Sequence, residues 1–187
     1  MDAHDTILQT FKELVIETPY ASITISSISK RADVSRKTFY KYFESRDDVA
    51  LEQLREDFVF PVQNIAVLLP LSEIKSSTRL MMERLYRAFF ENRAFYRHLI
   101  AGIGKQAFID MFTRETGALT YQMYLSNNVA EIEARYAADI LTGANALSLI
   151  WWLDHDDLDY HQMANLNMKW VATRLNDYNI ASSAKDS

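Results

Sequence analysis

The stretch that most constrains this fold is residues 24–43, TISSISKRADVSRKTFYKYF, because it encodes two short helices joined by a tight turn. Thr24 is suited to cap the first helix, and from Ile25 onward apolar residues recur at the i, i+3, i+7 spacing of one helix face. Ser35 is suited to cap the second helix, which the pattern carries through Phe43.

The second of these helices has two chemically different faces. Phe39 and Phe43 are four residues apart and share one face, while Lys37 and Lys41 fall roughly opposite. Cations neutralise phosphates and hydroxyl groups reach phosphates or base edges, so this face suits a DNA major groove. An ordinary solvated amphipathic helix shares the same periodicity. Thr38 and Tyr40 flank the two lysines on the outward face, and Arg36 lies at the start of the helix.

Two further features favour DNA binding over the solvated helix. The preceding helix and turn supply the companion that a helix-turn-helix lays across the DNA backbone. Residues 30–41 hold five Lys or Arg against one Asp, a charge of +4, whereas the whole chain carries −5, which leaves −9 elsewhere. A local basic patch on an acidic protein indicates one polyanion-binding surface.

At these residues the sequence resembles the TetR/AcrR family of transcriptional regulators, over about the first 55 residues. VSRKTFYKYFESRDD follows the family pattern closely. The sequence departs from that pattern at three positions: family members usually have Gly in place of Asp33, Gly or Pro in place of Lys37, and Gly in place of Pro19. Asp33 still suits the turn because Asp tolerates left-handed backbone. The resemblance implies DNA contacts by Arg36, Lys37, Thr38, Tyr40 and Lys41, with the capping Ser35 and, as candidate phosphate contacts, Thr24, Tyr42 and Arg46.

Composition limits the remaining possibilities. The 187-residue chain has no cysteine, which excludes disulfides and thiolate metal sites and fits a cytoplasmic protein. Its start, with Asp2 and Asp5, is not that of a signal peptide. No apolar run approaches the roughly 18 residues of a membrane span, so we expect no membrane association. No strand alternation occurs, and the predicted class is all-α: a three-helix helix-turn-helix head on a larger helical domain.

Helical periodicity divides the N-terminal part as follows. An amphipathic stripe begins at Ile7 and ends before Pro19. Ser45 and Asp48 form a predicted capping box that opens a fourth helix through about Phe60, which joins the head to the remainder. The predicted domains are residues 1–55 for DNA binding, 56–180 for effector binding and dimerisation, and 181–187 as a disordered tail.

The C-terminal part is predicted from breaks between periodic segments. Residues 62–76 are interpreted as a connection, and helices follow up to a break near Asn92 and a bend at Gly102 and Gly104. Asn127 or Asn128 is expected to cap a long helix that reaches Trp152. A last helix of about Tyr160 to Tyr178 is expected after an Asp159 cap, with Gln162 three residues on.

The last two long helices carry more apolar surface than one partner helix can cover, which predicts a homodimer through a four-helix interface. The alternative is that the intramolecular core absorbs it all. The predicted interface residues are Ile140, Ala144, Leu147, Trp151, Met163, Leu166 and Trp170.

Residues 86–124 are rich in Tyr, Phe and Met, which suits either an adaptable apolar pocket or an ordinary core. The family resemblance favours a pocket for an unknown small-molecule effector, and the C-terminal half loosely resembles the family's Firmicutes-type branch. The candidate lining residues are Tyr86, Phe89, Tyr96, Arg97, Phe108, Phe112, Tyr121 and Tyr124.

No enzymatic motif, cofactor site or metal site is predicted. The acidic segment DHDDLD, residues 154–159, lacks the glycine and terminal glutamate of a calcium-binding loop and is interpreted as a solvated connection.

From the helix-turn-helix segment, the leading hypothesis is a dimeric repressor released from a palindromic double-stranded operator by an effector. The alternatives are an activator, a regulator responding to a protein partner, or an all-α metal-binding or interaction protein.

Overall fold

The computed structural model describes residues 2–63 and 71–172, and every regular element in these ranges is helical, which confirms the all-α prediction. The first four helices are α1 (Ala3–Glu17), α2 (Ile25–Arg31), α3 (Arg36–Tyr42) and α4 (Arg46–Phe58), with a 3₁₀ turn at Tyr20–Ser22. The others are α5 (Leu71–Glu91), α6 (Arg93–Ile103), α7 (Lys105–Ser126), α8 (Glu131–Trp152) and α9 (Tyr160–Asn167), followed by a π-helical turn at Met168–Ala172.

The helices of the N-terminal part begin where their capping residues predict. The Thr24 hydroxyl accepts a hydrogen bond from the backbone N–H of Ser27 at 3.1 Å, and Ser35 accepts from that of Thr38 at 3.0 Å. Asp33 adopts a φ of 53°, so the turn between α2 and α3 is left-handed, as expected. These two caps and the turn fix the angle between α2 and α3.

Two other predicted caps are wrong in detail. Ser45 accepts from the N–H of Asp48, but the Asp48 carboxylate accepts from Glu44 and not from Ser45, so no reciprocal capping box forms. The cap of α8 is Ala130, because Asn128 adopts a φ of 60° and its N–H donates to Leu125, which ends α7. Asparagine tolerates this left-handed geometry and therefore terminates a helix as readily as it begins one.

The connection predicted for residues 62–76 is also wrong from Leu71 onward, where α5 begins. Ser and Thr lower helix propensity only modestly, so a polar run without Gly or Pro does not exclude a helix. Residues 64–70 lie outside the described ranges, as do the predicted end of the last helix near Tyr178 and the tail 181–187. The bend predicted at Gly102 and Gly104 occurs only at Gly104, with a φ of 92°.

One apolar core runs through both parts of the molecule. Phe11 of α1 contacts Phe95 of α6 edge-on, at 6.1 Å between ring centroids. Gly102 of α6 lies so close to Tyr20 that a Cβ added there would be 2.3 Å from the Tyr20 Cβ. In the described ranges no helix is long and apolar enough to cross a membrane.

Candidate nucleic-acid interface and internal cavity

Helix α3 is anchored by its aromatic face and exposes its basic face, as predicted. Phe39 is completely buried and Phe43 nearly so, while Arg36, Lys37 and Lys41 are exposed. These three cations form no ion pair within the described part of the chain. Their charge is therefore available to an external anion.

The other predicted DNA contacts lie around this face and differ in their exposure and hydrogen bonding. Tyr40 is 58% exposed and stands beside the cations. The Thr38 and Ser35 hydroxyl oxygens are 2.8 Å apart, so both groups serve the helix cap. Thr24 is exposed at the start of α2, and Tyr42 is partly covered by His4, whose ring centroid is 5.8 Å away.

Arg46, a candidate phosphate contact, has its guanidinium engaged by groups of the protein itself. Its Nη1 donates to the carbonyls of Tyr20 and Ile23 at 2.7 Å each, and the group lies 4.5 Å above the Tyr20 ring. The Tyr20 hydroxyl in turn donates to Asp47 at 2.6 Å. This arrangement fastens the first turn of α4 to the segment that precedes α2.

The basic patch is also smaller than the sequence suggests. Arg31 is paired with Glu17 and, at 3.2 Å, with Glu13 on α1.

His4 was not predicted to contact the DNA-binding helix, yet it stacks on Phe43 with ring centroids 5.2 Å apart. No local pattern identifies that contact, because it joins the start of α1 to the end of α3.

Helix α4 connects the N-terminal helices to the rest of the molecule through polar contacts. Arg55 Nε lies 2.8 Å from Glu115 of α7. Tyr96 of α6 donates to Asp57 at 2.6 Å, and Gln53 donates to the other oxygen of this carboxylate at 3.1 Å. Burial raises the pKa of Asp57, although the hydrogen bonds from Tyr96 and Gln53 oppose the shift.

An internal cavity of about 90 Å³ lies beside this connection, between α4, α5, α7 and α8. Its walls are mainly apolar, with methionines and aromatic rings, and its polar groups are mostly threonines. Of the candidate lining residues, Phe112 and Tyr124 border it. It is also bordered by Arg84 and by Asp57, Thr116, Thr120, Thr142 and Asn145, and none of the latter five was among the candidates.

The remaining candidate lining residues lie elsewhere and do not border this cavity. Phe89, Tyr96 and Phe108 are fully buried in an aromatic core, in which Phe89 and Tyr96 stack with centroids 5.0 Å apart. Tyr86 is also buried, which raises its pKa to about 12, and Tyr121 packs in a second small cluster. Periodicity identifies apolar residues but does not separate those that fill a core from those that leave space in it.

Arg97, the last candidate lining residue, also lies away from this cavity. Its guanidinium donates to the carbonyl of Leu153 at 2.7 Å and to Asp156 at 3.0 Å. Arg93 donates to the carbonyl of Trp152 and also pairs with Asp156, at 2.8 Å. The two arginines thus satisfy carbonyls at the C-terminal end of α8 and hold the acidic segment against it.

The predicted dimer residues form an exposed apolar stripe with one exception. Leu147 is 58% exposed, Ile140, Trp151, Leu166 and Trp170 are also exposed, and Ala144 is half-buried. Met163 is only 2% exposed and belongs to the intramolecular core, so it does not contribute to this stripe. Ile132 and Tyr136 extend the stripe along α8 at four-residue spacing, which the sequence alone did not reveal.

Comparisons with known proteins agree with this architecture. Residues 7–52 match the family model of bacterial regulatory proteins, tetR family, and residues 77–171 match that of a transcriptional regulator C-terminal region. No curated protein matches the sequence.

Three solved structures are similar in fold. The dihydroxyacetone kinase operon activator DhaS is 16% identical, with a TM-score of 0.64 over 92% of this chain and 96% of that one. A protein described as a TetR-family transcriptional regulator from Syntrophomonas wolfei is 17% identical, with a TM-score of 0.65 over 92% and 94%. NalD, the secondary repressor of the MexAB-OprM multidrug efflux pump in Pseudomonas aeruginosa, is 18% identical, with a TM-score of 0.57 over 92% and 94%.

Proposed function

This chain belongs to the TetR family and is a DNA-binding transcriptional regulator, and we propose that it is a homodimeric repressor released from a palindromic operator by a small molecule. The observation that carries the proposal is the basic face of α3, whose Arg36, Lys37 and Lys41 are exposed and form no ion pair with a described residue. We assign DNA binding to residues 1–55 and effector binding and dimerisation to residues 56–180. We include a cytoplasmic location in this proposal, because a regulator has to reach the DNA it binds.

The exposed cations of α3 support major-groove binding by a simple balance of costs. A free surface cation keeps its hydration and gains counterion release when it meets a phosphate. A cation already held by a carboxylate would first have to lose that partner. Arg31 is in that second state, so we exclude it from the interface.

The apolar stripe supports the homodimer. Ile132, Tyr136, Ile140, Leu147 and Trp151 project from one side of α8, and Leu166 and Trp170 continue the surface on the C-terminal helix. Contiguous apolar patches of this kind mark protein interfaces on otherwise polar proteins. A two-fold dimer would present two copies of α3 and therefore select a near-palindromic site.

The cavity supports effector control because one of its walls is α4. Asp57 and Phe58 of α4 border the cavity, while Arg46 at the other end of the same helix is fastened to the segment before α2. A molecule that moves α4 on binding would shift α2 and α3 relative to the rest of the protein. The geometry requires no enzymatic step.

Selection of bound sequences from a random duplex pool at about 100 mM salt tests the proposal. We expect a near-palindrome bound at least ~10³-fold more tightly than random DNA. Lys41→Ala should weaken binding to all sequences and reduce the salt slope by about one, whereas Arg36→Ala should change the preference at particular base pairs. Enrichment of no sequence would contradict the proposal.

The dimer is tested separately with one variant and one control. Leu147→Glu places a charge in the proposed seam and should give a monomer in sedimentation, with helix content unchanged. Ile16→Glu makes the same change at an exposed apolar residue of α1 and should leave the dimer intact. A Leu147→Glu variant that stays dimeric would move the interface elsewhere.

The fold similarity to an operon activator favours activation as a second candidate function. Transcription in vitro from the promoter next to the selected operator separates the two functions. A repressor lowers transcription when it is added and an effector restores it, whereas an activator raises transcription from the same template.

A further inference from the structure

A buried amide pair links the wall of the cavity to the C-terminal helix. Asn145 of α8 and Asn167 of α9 are both almost fully buried, and the Asn167 Nδ2 donates to the Asn145 Oδ1 at 2.9 Å. This bond engages the Asn145 carbonyl oxygen with a residue that does not border the cavity. The Asn145 Nδ2 donates to no group in the described ranges, so this cavity-bordering residue keeps a free hydrogen-bond donor.

Three threonine hydroxyls at the cavity do not compete with this donor, whereas the Tyr124 hydroxyl, which donates to no group in the described ranges, is a second donor there. Thr116, Thr120 and Thr142 donate their hydroxyl protons to backbone carbonyls one turn earlier, at 2.7, 2.9 and 2.7 Å. They therefore present methyl groups and oxygen lone pairs, but no protons, to a ligand.

The two charged groups at the cavity are also engaged. The Asp57 carboxylate accepts hydrogen bonds from Tyr96, Gln53 and Asn92, at 2.6, 3.1 and 3.3 Å. Arg84 is exposed, and its Nη1 donates to the carbonyl of Pro61 at 3.2 Å. A cationic ligand would find the Asp57 carboxylate already engaged, and an anionic ligand could reach a counter-charge only at the exposed Arg84, so the mainly apolar interior favours an uncharged molecule.

The cavity volume limits the size of the ligand. An apolar cavity of about 150 Å³ accommodates benzene. Benzene has six non-hydrogen atoms, so the volume of about 90 Å³ found here has room for roughly three to five. The walls include Met81, Met82 and Met123, whose flexible side chains can adapt to the shape of the ligand.

We propose that the cavity binds a small uncharged molecule of about three to five non-hydrogen atoms, through a carbonyl or hydroxyl oxygen that accepts a hydrogen bond from the Asn145 Nδ2. Asn167 is a positioning residue, because it holds the Asn145 amide in the orientation that offers this donor. The inference rests on the proposed effector-controlled function and specifies the class of effector.

Titration calorimetry of the full-length protein with four related compounds tests the proposal. Butan-2-one and butan-2-ol should bind with dissociation constants between about 10 μM and 10 mM, as expected for such small ligands. Butyrate and butylammonium should bind at least about tenfold more weakly, because each carries a charge. Equal binding of the charged compounds, or binding of the alcohol without the ketone, would overturn the proposal.

Asn145→Leu should weaken butan-2-one binding by about five- to thirtyfold, the effect of one lost hydrogen bond in an apolar site. Because this change also leaves Asn167 without its partner, the double variant Asn145→Leu with Asn167→Leu provides an apolar replacement of the whole pair. It should fold and show the same loss. Thr120→Val is the matched control and should retain affinity within about threefold, since its hydroxyl serves its own helix.

The same experiment separates this inference from the function on which it rests. If the protein binds its selected operator but none of the neutral compounds, or if the double variant binds butan-2-one as well as the wild type does, the ligand assignment is wrong and the DNA-binding function stands. If butan-2-one binds through Asn145 and no sequence is selected from the duplex pool, the operator function fails and the ligand site stands.

Discussion

Gly102→Ala tests how closely α6 is packed against the N-terminal helices. The added Cβ would lie 2.3 Å from the Tyr20 Cβ and 3.0 Å from its Cγ. Both atoms are close to the Tyr20 backbone, so rotation of the ring cannot remove the first overlap. Either α6 or the Tyr20–Ser22 turn has to move.

The expected magnitude follows from two opposing effects. Replacing a helical glycine by alanine stabilises a helix by up to about 1 kcal/mol, and less near its end. Overpacking in a tight contact costs about 1–3 kcal/mol. We therefore expect Gly102→Ala to lower the free energy of unfolding by about 1–2 kcal/mol and the melting temperature by about 2–8 °C.

Gly117→Ala provides the matched control within the same molecule. Its added Cβ would be 3.6 Å from the Thr142 Oγ1, an ordinary contact, so the helical gain should dominate. We expect a melting temperature about 2–4 °C above that of the wild type. Thermal unfolding followed by circular dichroism measures both variants.

A double-mutant cycle assigns the effect to the Tyr20 contact. In a Tyr20→Gly background the overlapping Cβ is absent, and Gly102→Ala should no longer destabilise the protein. The reasoning would be refuted if Gly102→Ala melted at or above the temperature of Gly117→Ala, or if its cost persisted in the Tyr20→Gly background.

Two further predictions concern charge and backbone conformation. Burial alone would raise the pKa of Glu115, but the hydrogen bonds and charges of Arg55 and Arg114 outweigh it and lower the pKa below the ordinary 4.5. The ionised form of Glu115 thus stabilises the fold above about pH 4.5, and this stabilisation is lost as the pH falls. In urea unfolding, Glu115→Gln should therefore lower the stability at pH 7 and lower it progressively less towards pH 3. Glu131→Gln, at an exposed position, should not show this pH dependence. At Asp33, with its φ of 53°, Gly should be neutral or stabilising while Val should destabilise by about 1–2 kcal/mol, as measured by thermal unfolding.

The sequence predicted the local elements of the DNA-binding part well because each is determined by its own neighbours. The caps at Thr24 and Ser35, the left-handed Asp33, and the burial of Phe39 and Phe43 all depend on residues within one or two helical turns. The TetR resemblance, now supported by the family models, rests on the same short segment.

The cavity was predicted less well because it depends on distances between helices. Phe108 and Phe112 are four residues apart on α7 and both are buried, yet only Phe112 borders the space. Asn145 attracts no notice in an apolar helix until its bond to Asn167, twenty-two positions away, is known. Aromatic composition indicates that a core exists, whereas the location of a gap in that core depends on how four helices meet.

For Arg46, the family resemblance and the hydrogen bonds in the structure predict different effects of the Arg46→Ala substitution on DNA binding and on stability. If it contacts phosphate, as the family resemblance suggests, Arg46→Ala should flatten the salt dependence of DNA binding by about one unit and leave the free protein's stability unchanged. In the structure its Nη1 instead satisfies the carbonyls of Tyr20 and Ile23, both at 2.7 Å. Without this side chain the Tyr20 carbonyl keeps the N–H of Ile23 as a donor, whereas the partly buried Ile23 carbonyl loses its 2.7 Å hydrogen bond, which should cost the free protein about 1–3 kcal/mol with an unchanged salt slope for operator binding. Urea unfolding and binding titrations at several salt concentrations measure the two quantities independently, and a flattened slope with wild-type stability would return Arg46 to the DNA interface.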